Sequence, residues 1–273
     1  MKTDPNALKI LHAGALRKPI KECIHTLWEK YPNLKVELDY AGSRACAKAV
    51  AEGKIVDVIA LADYQVFNDI LIPRFVETSF VFATDQMVLA FDEFSADSNK
   101  INDHNWMDVL LGNPTIKYAR SDHRLDPCGY RALMLWQLAE QYYARPGLYQ
   151  ALENGWSNLY PKSLDLAVAL MEGKIDYGFE YLSVARQMNL PYIQFPAQIN
   201  LSDPRYADYY ARAKVIIEGN YPGLETEIWG APIEFAVSIP KNSNQKELAQ
   251  EFIEILTGPR GEEILEENGL IPC

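Results

Sequence analysis

LKILHAGALRKPIKECIHTLWEKYPNLKVELDYA, residues 8–41, decides the fold. LKILHA (8–13) is a short apolar run that predicts a buried strand. PIKECIHTLWEKYP (19–32) places Ile20, Ile24, Leu27, Trp28 and Tyr31 on one helical face, and Pro32 closes it. VELDYA (36–41) predicts a second strand. The next segments repeat the alternation. SRACAKAVAEG (43–53) reads as a helix with Ser43 capping its start and Gly53 at its end, and IVDVIALA (55–62) as a third strand. Strand–helix–strand repetition implies parallel pairing, hence an α/β fold.

Further along, FVFATDQMVLAF (80–91) holds two apolar runs broken by Thr84-Asp85-Gln86, which predicts a crossover into a second lobe. There IKYAR (116–120) predicts a strand, residues 127–143 a long helix, SLDLAVALMEG (163–173) a helix, IDYGFEY (175–181) a strand and PYIQFP (191–196) another. YPGLETEIWGAP (221–232) reads as surface. PIEFAVSIP (232–240) predicts a strand, and the helical pattern over 244–269, interrupted at Gly258-Pro259, is expected to return to the first lobe. The expected boundaries are 1–83 plus 232–273 for lobe one and 84–231 for lobe two. An internal echo supports two lobes: AVAEGKIVDVIALADY (49–64) and ALMEGKIDYGFEY (169–181) share a helix end, the tetrad EGKI, an Asp and an apolar strand. With Asp57 set against Asp176, Glu180 falls opposite Leu61, just before Ala62.

Composition narrows the function classes. The 273 residues carry a formal net charge of −11, with no basic run, which argues against nucleic acid and anionic membranes but not against a small anion in a local pocket. No apolar stretch approaches the roughly 18–20 residues that span a bilayer. The start, MKTDPNALKI, lacks signal-peptide features, which leaves open a cytoplasmic protein or an exported one without its leader. Cys23, Cys46, Cys128 and Cys273 are widely spaced and are expected to be buried free thiols. With His12, His25, His104 and His123 equally scattered, no transition-metal cation site is expected.

Four segments fall at the carboxyl ends of predicted strands, where open α/β sheets bind ligands: HAGAL (12–16), AGSRA (41–45), ALADY (60–64) and RSDHRLDPCGYRA (120–132). Small residues admit a ligand to the backbone, and helix starts favour negative charge. Neither a P-loop nor a dinucleotide fingerprint occurs, so the segments point to a small oxyanion. Asp126 precedes Pro127 and reads as a helix N-cap with a second oxygen to offer. Glu180 ends a buried strand and needs a partner, either an arginine (Arg120, Arg124 or Arg131) or a ligand.

HAGAL, AGSRAC (41–46), DVIALADY (57–64), QMVLAF (86–91), DPCGYRA (126–132), EGKIDYGFEYLSVA (172–185), INLSDPRYAD (199–208) and IPKN with ELAQEFIEIL (239–256) together resemble the tungstate/molybdate-binding proteins of the archaeal type, the substrate-binding components of ABC transporters. The resemblance runs in order over nearly the whole chain. It implies a two-lobed periplasmic-binding-protein fold of type II, with the oxyanion in the interlobe cleft. It further implies that Asp126 and Glu180 complete a six-coordinate metal, while Gly14, Ala15, Ser43, Ala62, Ser121 and Cys128 offer N–H or hydroxyl groups to the oxo ligands. Such a protein is a non-catalytic, cofactor-free monomer, exported with or without a lipid anchor, delivering its ligand to a membrane permease and ATPase. Two departures stand out: Ala15 replaces the serine of the family's HAGSL, and Leu61 that of its SADY. A receptor for sulfate or phosphate is the alternative within the same class. A hydrolase using Asp126 and Glu180 as acid and base is the alternative outside it.

Overall fold

The computed structural model describes residues 7–218 and 224–273. The opening stretch folds as strand β1 (Leu8–Ala13), a 3-10 turn at Gly14–Leu16, helix α1 (Arg17–Lys30) and strand β2 (Val36–Ala41), with β1 and β2 parallel. The buried face of α1 is Ile20, Cys23, Ile24 and Leu27. Trp28, expected on that face, is 38% exposed and donates its indole N–H to the Leu34 carbonyl at 2.9 Å. Tyr31 lies just past the helix end, where its hydroxyl reaches Glu251 at 2.7 Å. Both rings are amphipathic and sit at the rim, where their polar ends find partners.

The chain continues through α2 (Ser43–Ala51), β3 (Val58–Leu61), a π-helical turn (Phe67–Leu71) and β4 (Phe80–Thr84). A second unit then spans Asp85–Ile233. It contains β5 (Met87–Phe91), α3 (Trp106–Gly112), β6 (Tyr118–Ser121), α4 (Pro127–Tyr142), α5 (Leu148–Gly155) and β7 (Asn158–Tyr160). These are followed by α6 (Ser163–Met171), β8 (Tyr177–Tyr181), α7 (Leu182–Gln187), β9 (Tyr192–Gln194), α8 (Ala207–Tyr210), β10 (Lys214–Glu218) and β11 (Glu225–Trp229). The last segment returns to the first unit as β12 (Glu234–Ser238), α9 (Lys246–Thr257), α10 (Pro259–Glu267) and β13 (Ile271–Pro272). The first unit thus comprises Met1–Thr84 and Glu234–Cys273.

The main sheet of each unit repeats one plan. In the first, β3 and β2 flank β1 in parallel and β12 runs antiparallel beside β3, within the order β13-β4-β12-β3-β1-β2. In the second, β8 and β7 flank β6 in parallel and β5 runs antiparallel beside β8, within the order β7-β6-β8-β5-β9. The EGKI echo is part of this plan. Gly53 and Gly173 both adopt positive φ, +103° and +64°, ending α2 and α6 in left-handed caps. Asp57 and Asp176 then do the same work. Each donates its backbone N–H to a lysine carbonyl at 2.8 Å, Lys9 or Lys117, and accepts that lysine's N–H on Oδ2, at 2.9 Å and 2.8 Å. Each Asp therefore fixes the register at the start of the central strand beside it.

The core of the first unit gathers Leu11, Val50, Ile59, Leu61, Phe67 and Leu71. That of the second includes a ring cluster of Trp106, Trp136, Phe179 and Phe195; the edge-to-face Trp136–Phe179 pair has centroids 5.1 Å apart. The stretch read as surface contains a largely exposed strand. Residues 221–223 lie outside the described residues, but β11 pairs antiparallel with β10 and buries Ile228 against the Val215 and Ile217 face.

Candidate functional site

The carboxyl ends of β6 and β8 bring the predicted carboxylates of the second unit into one buried group. Ser121 closes β6, and a short loop leads to Asp126, the N-cap of α4. Pro127 takes the first helical position, where its missing N–H costs nothing, and Asp126 Oδ1 accepts the Cys128 N–H at 3.2 Å. The second oxygen, read as spare, also has a donor: Asp126 Oδ2 accepts the Ser163 N–H at 2.5 Å, from the first residue of α6. The Cys128 N–H, assigned to an oxo ligand, is here turned to Asp126. Gly129 lets α4 approach so closely, since a Cβ there would stand 2.3 Å from the Ser121 carbonyl oxygen.

Glu180, fully buried in β8, has no ion pair among the described residues. Each arginine considered as its partner is engaged elsewhere. Arg120 meets Glu153 at 3.4 Å, Arg124 meets Asp122 at 2.7 Å, and Arg131 donates to the Tyr181 hydroxyl at 2.7 Å. Glu180 Oε1 accepts the Tyr181 N–H at 2.8 Å and the Cys128 thiol at 3.2 Å. Its other oxygen, Oε2, is buried without a hydrogen-bond partner, and the buried Ser121 hydroxyl stands by Asp126 and Cys128 without a hydrogen bond of good geometry. Leaving such groups unmade costs about 1–3 kcal/mol each, more for a charged one. Burial pushes the Glu180 carboxyl far above its usual range, with the nearby Asp126 charge adding to it. Burial raises Asp126 to about 6, with the Ser163 and Cys128 N–H groups, Arg131 and the neighbouring Ser121 pulling the other way. The Cys128 thiol is raised too, by burial and then by the Glu180 and Asp126 charges, so it stays a donor.

In the first unit, the candidates also fall at strand ends. Gly14 and Ala15 are buried in the 3-10 turn that follows β1. Ser43 is the first residue of α2 rather than its cap, which is Gly42, and its hydroxyl accepts the Ala62 N–H at 2.9 Å. The link joins the start of α2 to the end of β3. His12, buried beside them, is held neutral by desolvation, its pKa lowered to about 4. Three thiols, Cys23, Cys46 and Cys128, are free and buried; Cys273 is free but exposed.

Ser163 escaped the sequence reading. Its signal was the echo itself, for Ser163 stands to Gly173 as Ser43 stands to Gly53, each opening the helix that its glycine closes. Among the described residues, no group of three or more His, Cys, Asp or Glu side chains is arranged to hold a metal cation, and no helix is long and apolar enough to cross a membrane.

Comparison with known proteins agrees with this layout. The family described as bacterial extracellular solute-binding protein matches residues 8–271. An uncharacterized solute-binding protein of Petrotoga mobilis is 39% identical over 95% of this chain and 82% of its own. The molybdate/tungstate-binding protein WtpA of Pyrococcus abyssi is 31% identical over 96% of this chain and 83% of its own. Among solved structures, the periplasmic molybdate-binding protein of Azotobacter vinelandii superposes with a TM-score of 0.69 at 16% identity, covering 97% of this chain and 98% of that one. The sulfate-binding protein SubI of Mycobacterium tuberculosis reaches 0.70 at 13% identity, covering 98% and 87%, so these structures share the fold and do not choose the ligand. With its twin three-strand parallel cores and a match over nearly its full length, the chain belongs to the bacterial extracellular solute-binding protein family.

Proposed function

We infer that this chain binds tungstate or molybdate for delivery to an ABC importer, and that Asp126 and Glu180 complete the coordination of the metal. The observation that carries this reading is the buried pair itself: two carboxyls that make no ion pair among the described residues, one of them keeping an oxygen unpartnered. Sulfate, whose sulfur accepts no further oxygen, gives the pair no reason to ionise, since two carboxylates would repel the dianion with nothing to offset their desolvation. A hexavalent molybdenum or tungsten centre is hard and accepts further oxygen ligands. It brings its own oxo groups, so two protein oxygens suffice where a bare cation would need more. The relatives named for molybdate and tungstate, at 31% identity over nearly the whole chain, support the same ligand.

Ser121 offers the oxo groups a hydroxyl. In the first unit Gly14, Ala15 and the Ser43–Ala62 pair supply neutral groups for the same purpose. Ser43 keeps a hydroxyl proton to donate while accepting from Ala62. The Cys128 N–H would have to leave Asp126 to join them. The protein has no catalytic step and needs no cofactor; it works as an exported monomer with a membrane permease and its ATPase.

Calorimetric titration with tungstate, molybdate and sulfate tests the reading. Either metal oxyanion should bind far more tightly than sulfate. Glu180→Gln should cost at least about 100-fold in tungstate affinity, more than the loss usual for groups one shell further out. Sulfate binding as tight as tungstate, or a Glu180→Gln variant that binds tungstate unchanged, would sink it.

A further inference from the structure

Cys128 is the second residue of α4, wholly buried, and its thiol lies between two acceptors: Glu180 Oε1 at 3.2 Å and the Phe179 carbonyl at 3.6 Å. Glu180 Oε1 also takes the Tyr181 N–H at 2.8 Å. Two donors from different elements therefore converge on one oxygen of the carboxylate. The other oxygen, Oε2, has none.

That asymmetry has a use. The last torsion of a glutamate is broad and two-fold, so an unrestrained carboxylate presents either oxygen in turn. The Tyr181 N–H holds Oε1 from the backbone of the residue's own neighbour, and by itself leaves the carboxylate plane free to swing about that contact. A second donor, arriving from α4, fixes the plane. The choice of sulfur also matters. An arginine or lysine in this place would bring a positive charge that competes with the ligand's metal for the carboxylate, whereas a thiol is a weak, uncharged donor that orients the group without adding charge.

We propose that the Cys128 thiol is a positioning residue, which fixes the Glu180 carboxylate through Oε1 so that Oε2 is presented to the bound ligand. The proposal rests on the reading above that Glu180 ligates the metal of an oxyanion. A small buried side chain filling space at a helix start is the competing account, and the two differ in whether the effect of Cys128 depends on Glu180.

A double-mutant cycle separates them. Molybdate affinity is measured for the full chain as wild type, Cys128→Ala, Cys128→Ser, Glu180→Gln and Cys128→Ala/Glu180→Gln, with thermal melts confirming that each folds. Cys128→Ala should lower molybdate affinity about tenfold, as loss of a hydrogen bond to a charged group does. Cys128→Ser, which keeps a donor, should stay within about threefold of wild type, and Cys128→Ala should cost nothing further once Glu180 is Gln. Molybdenum-edge X-ray absorption of the Cys128→Ala complex should show the longer, carboxylate Mo–O shell broadened. An unchanged affinity in Cys128→Ala, or an equal loss with and without Glu180, overturns the proposal while a large effect of Glu180→Gln leaves the functional reading standing. If Glu180→Gln itself does nothing, the functional reading falls first. Should Cys128→Ala not fold, the S–H stretching band decides the matter, identified by its loss in Cys128→Ser. Replacing Glu180 by Gln should shift that band upward, and no shift overturns the proposal.

Discussion

Asp85 joins Asp126 and Glu180 as a third fully buried carboxyl of the second unit, raised by desolvation to about 7. Its oxygens take the Gln86 N–H at 2.7 Å, the Ser183 N–H at 3.3 Å and the Ser183 hydroxyl at 2.5 Å. Unfolded, it would release its proton near 3.8; folded, it holds the proton to about 7. Over that window the unfolded chain binds fewer protons, so stability is full below about 4 and falls as pH rises through 7. An amide could keep these bonds, accepting from the two N–H groups and donating to the serine oxygen. Asp85→Asn should therefore be more stable than wild type at pH 8, by at most about 4 kcal/mol, with the gain vanishing towards pH 4. Urea unfolding at both pH values measures it, and an Asn variant less stable at pH 8 would refute the assignment. Neutral His12 works in the other direction, destabilising the fold as pH falls from 6.5 to about 4, which is why the difference between variants, not the raw profile, is diagnostic.

At the scale of elements, what the sequence made legible was periodic. The apolar runs of β1, β3 and β8 and the long α4 carry enough residues to state their period, and the EGKI echo located the turn that both sheets share. β7 and β9 have three residues each and show no period. The β10–β11 pair was missed because its first strand alternates only in burial: Val215, Ile216 and Ile217 are a continuous apolar run in sequence, and pairing with β11 decides which of them faces inward. The two carboxylates were readable as strand-end and helix-cap residues. That Ser163 would donate to Asp126, or a thiol to Glu180, depends on contacts between distant segments and could not be read from local pattern. Glycine packing is another contact of this kind, and it gives a contrast to test. A Cβ at Gly129 meets backbone of the Ser121–His123 segment at 2.3–2.8 Å, whereas one at Gly178 meets only the Leu170 and Leu166 side chains at 3.1 Å and beyond. Gly129→Ala should cost about 1–3 kcal/mol by overpacking and weaken tungstate binding by moving the start of α4. Gly178→Ala, whose leucine neighbours can shift, should cost less and leave binding nearly intact. Thermal melts with and without tungstate compare them; equal losses would mean that the approach of α4 to the β6 loop is not what positions the carboxylates.

The whole molecule carries a formal charge of −11, and that constrains how it would capture the dianion proposed as its ligand. Electrostatic steering speeds association when the fields are complementary; here the global field opposes approach. On that proposal, attraction would come from groups felt only at contact, namely backbone N–H groups, hydroxyls and the metal's own demand for oxygen. Salt then acts in an unusual sense. Raising ionic strength from about 0.01 M to 0.15 M shortens the screening length from about 30 Å to 8 Å and removes most of the long-range repulsion, while short contacts within the buried site are little affected. The association rate for tungstate should therefore increase with salt and the dissociation rate stay nearly constant, so that affinity improves. Five tryptophans provide the stopped-flow fluorescence signal. An association rate that falls with added sodium chloride would mean that a local cationic funnel outweighs the net charge, and the arginines now paired with Glu153, Asp122 and the Tyr181 hydroxyl would be the residues to mutate next.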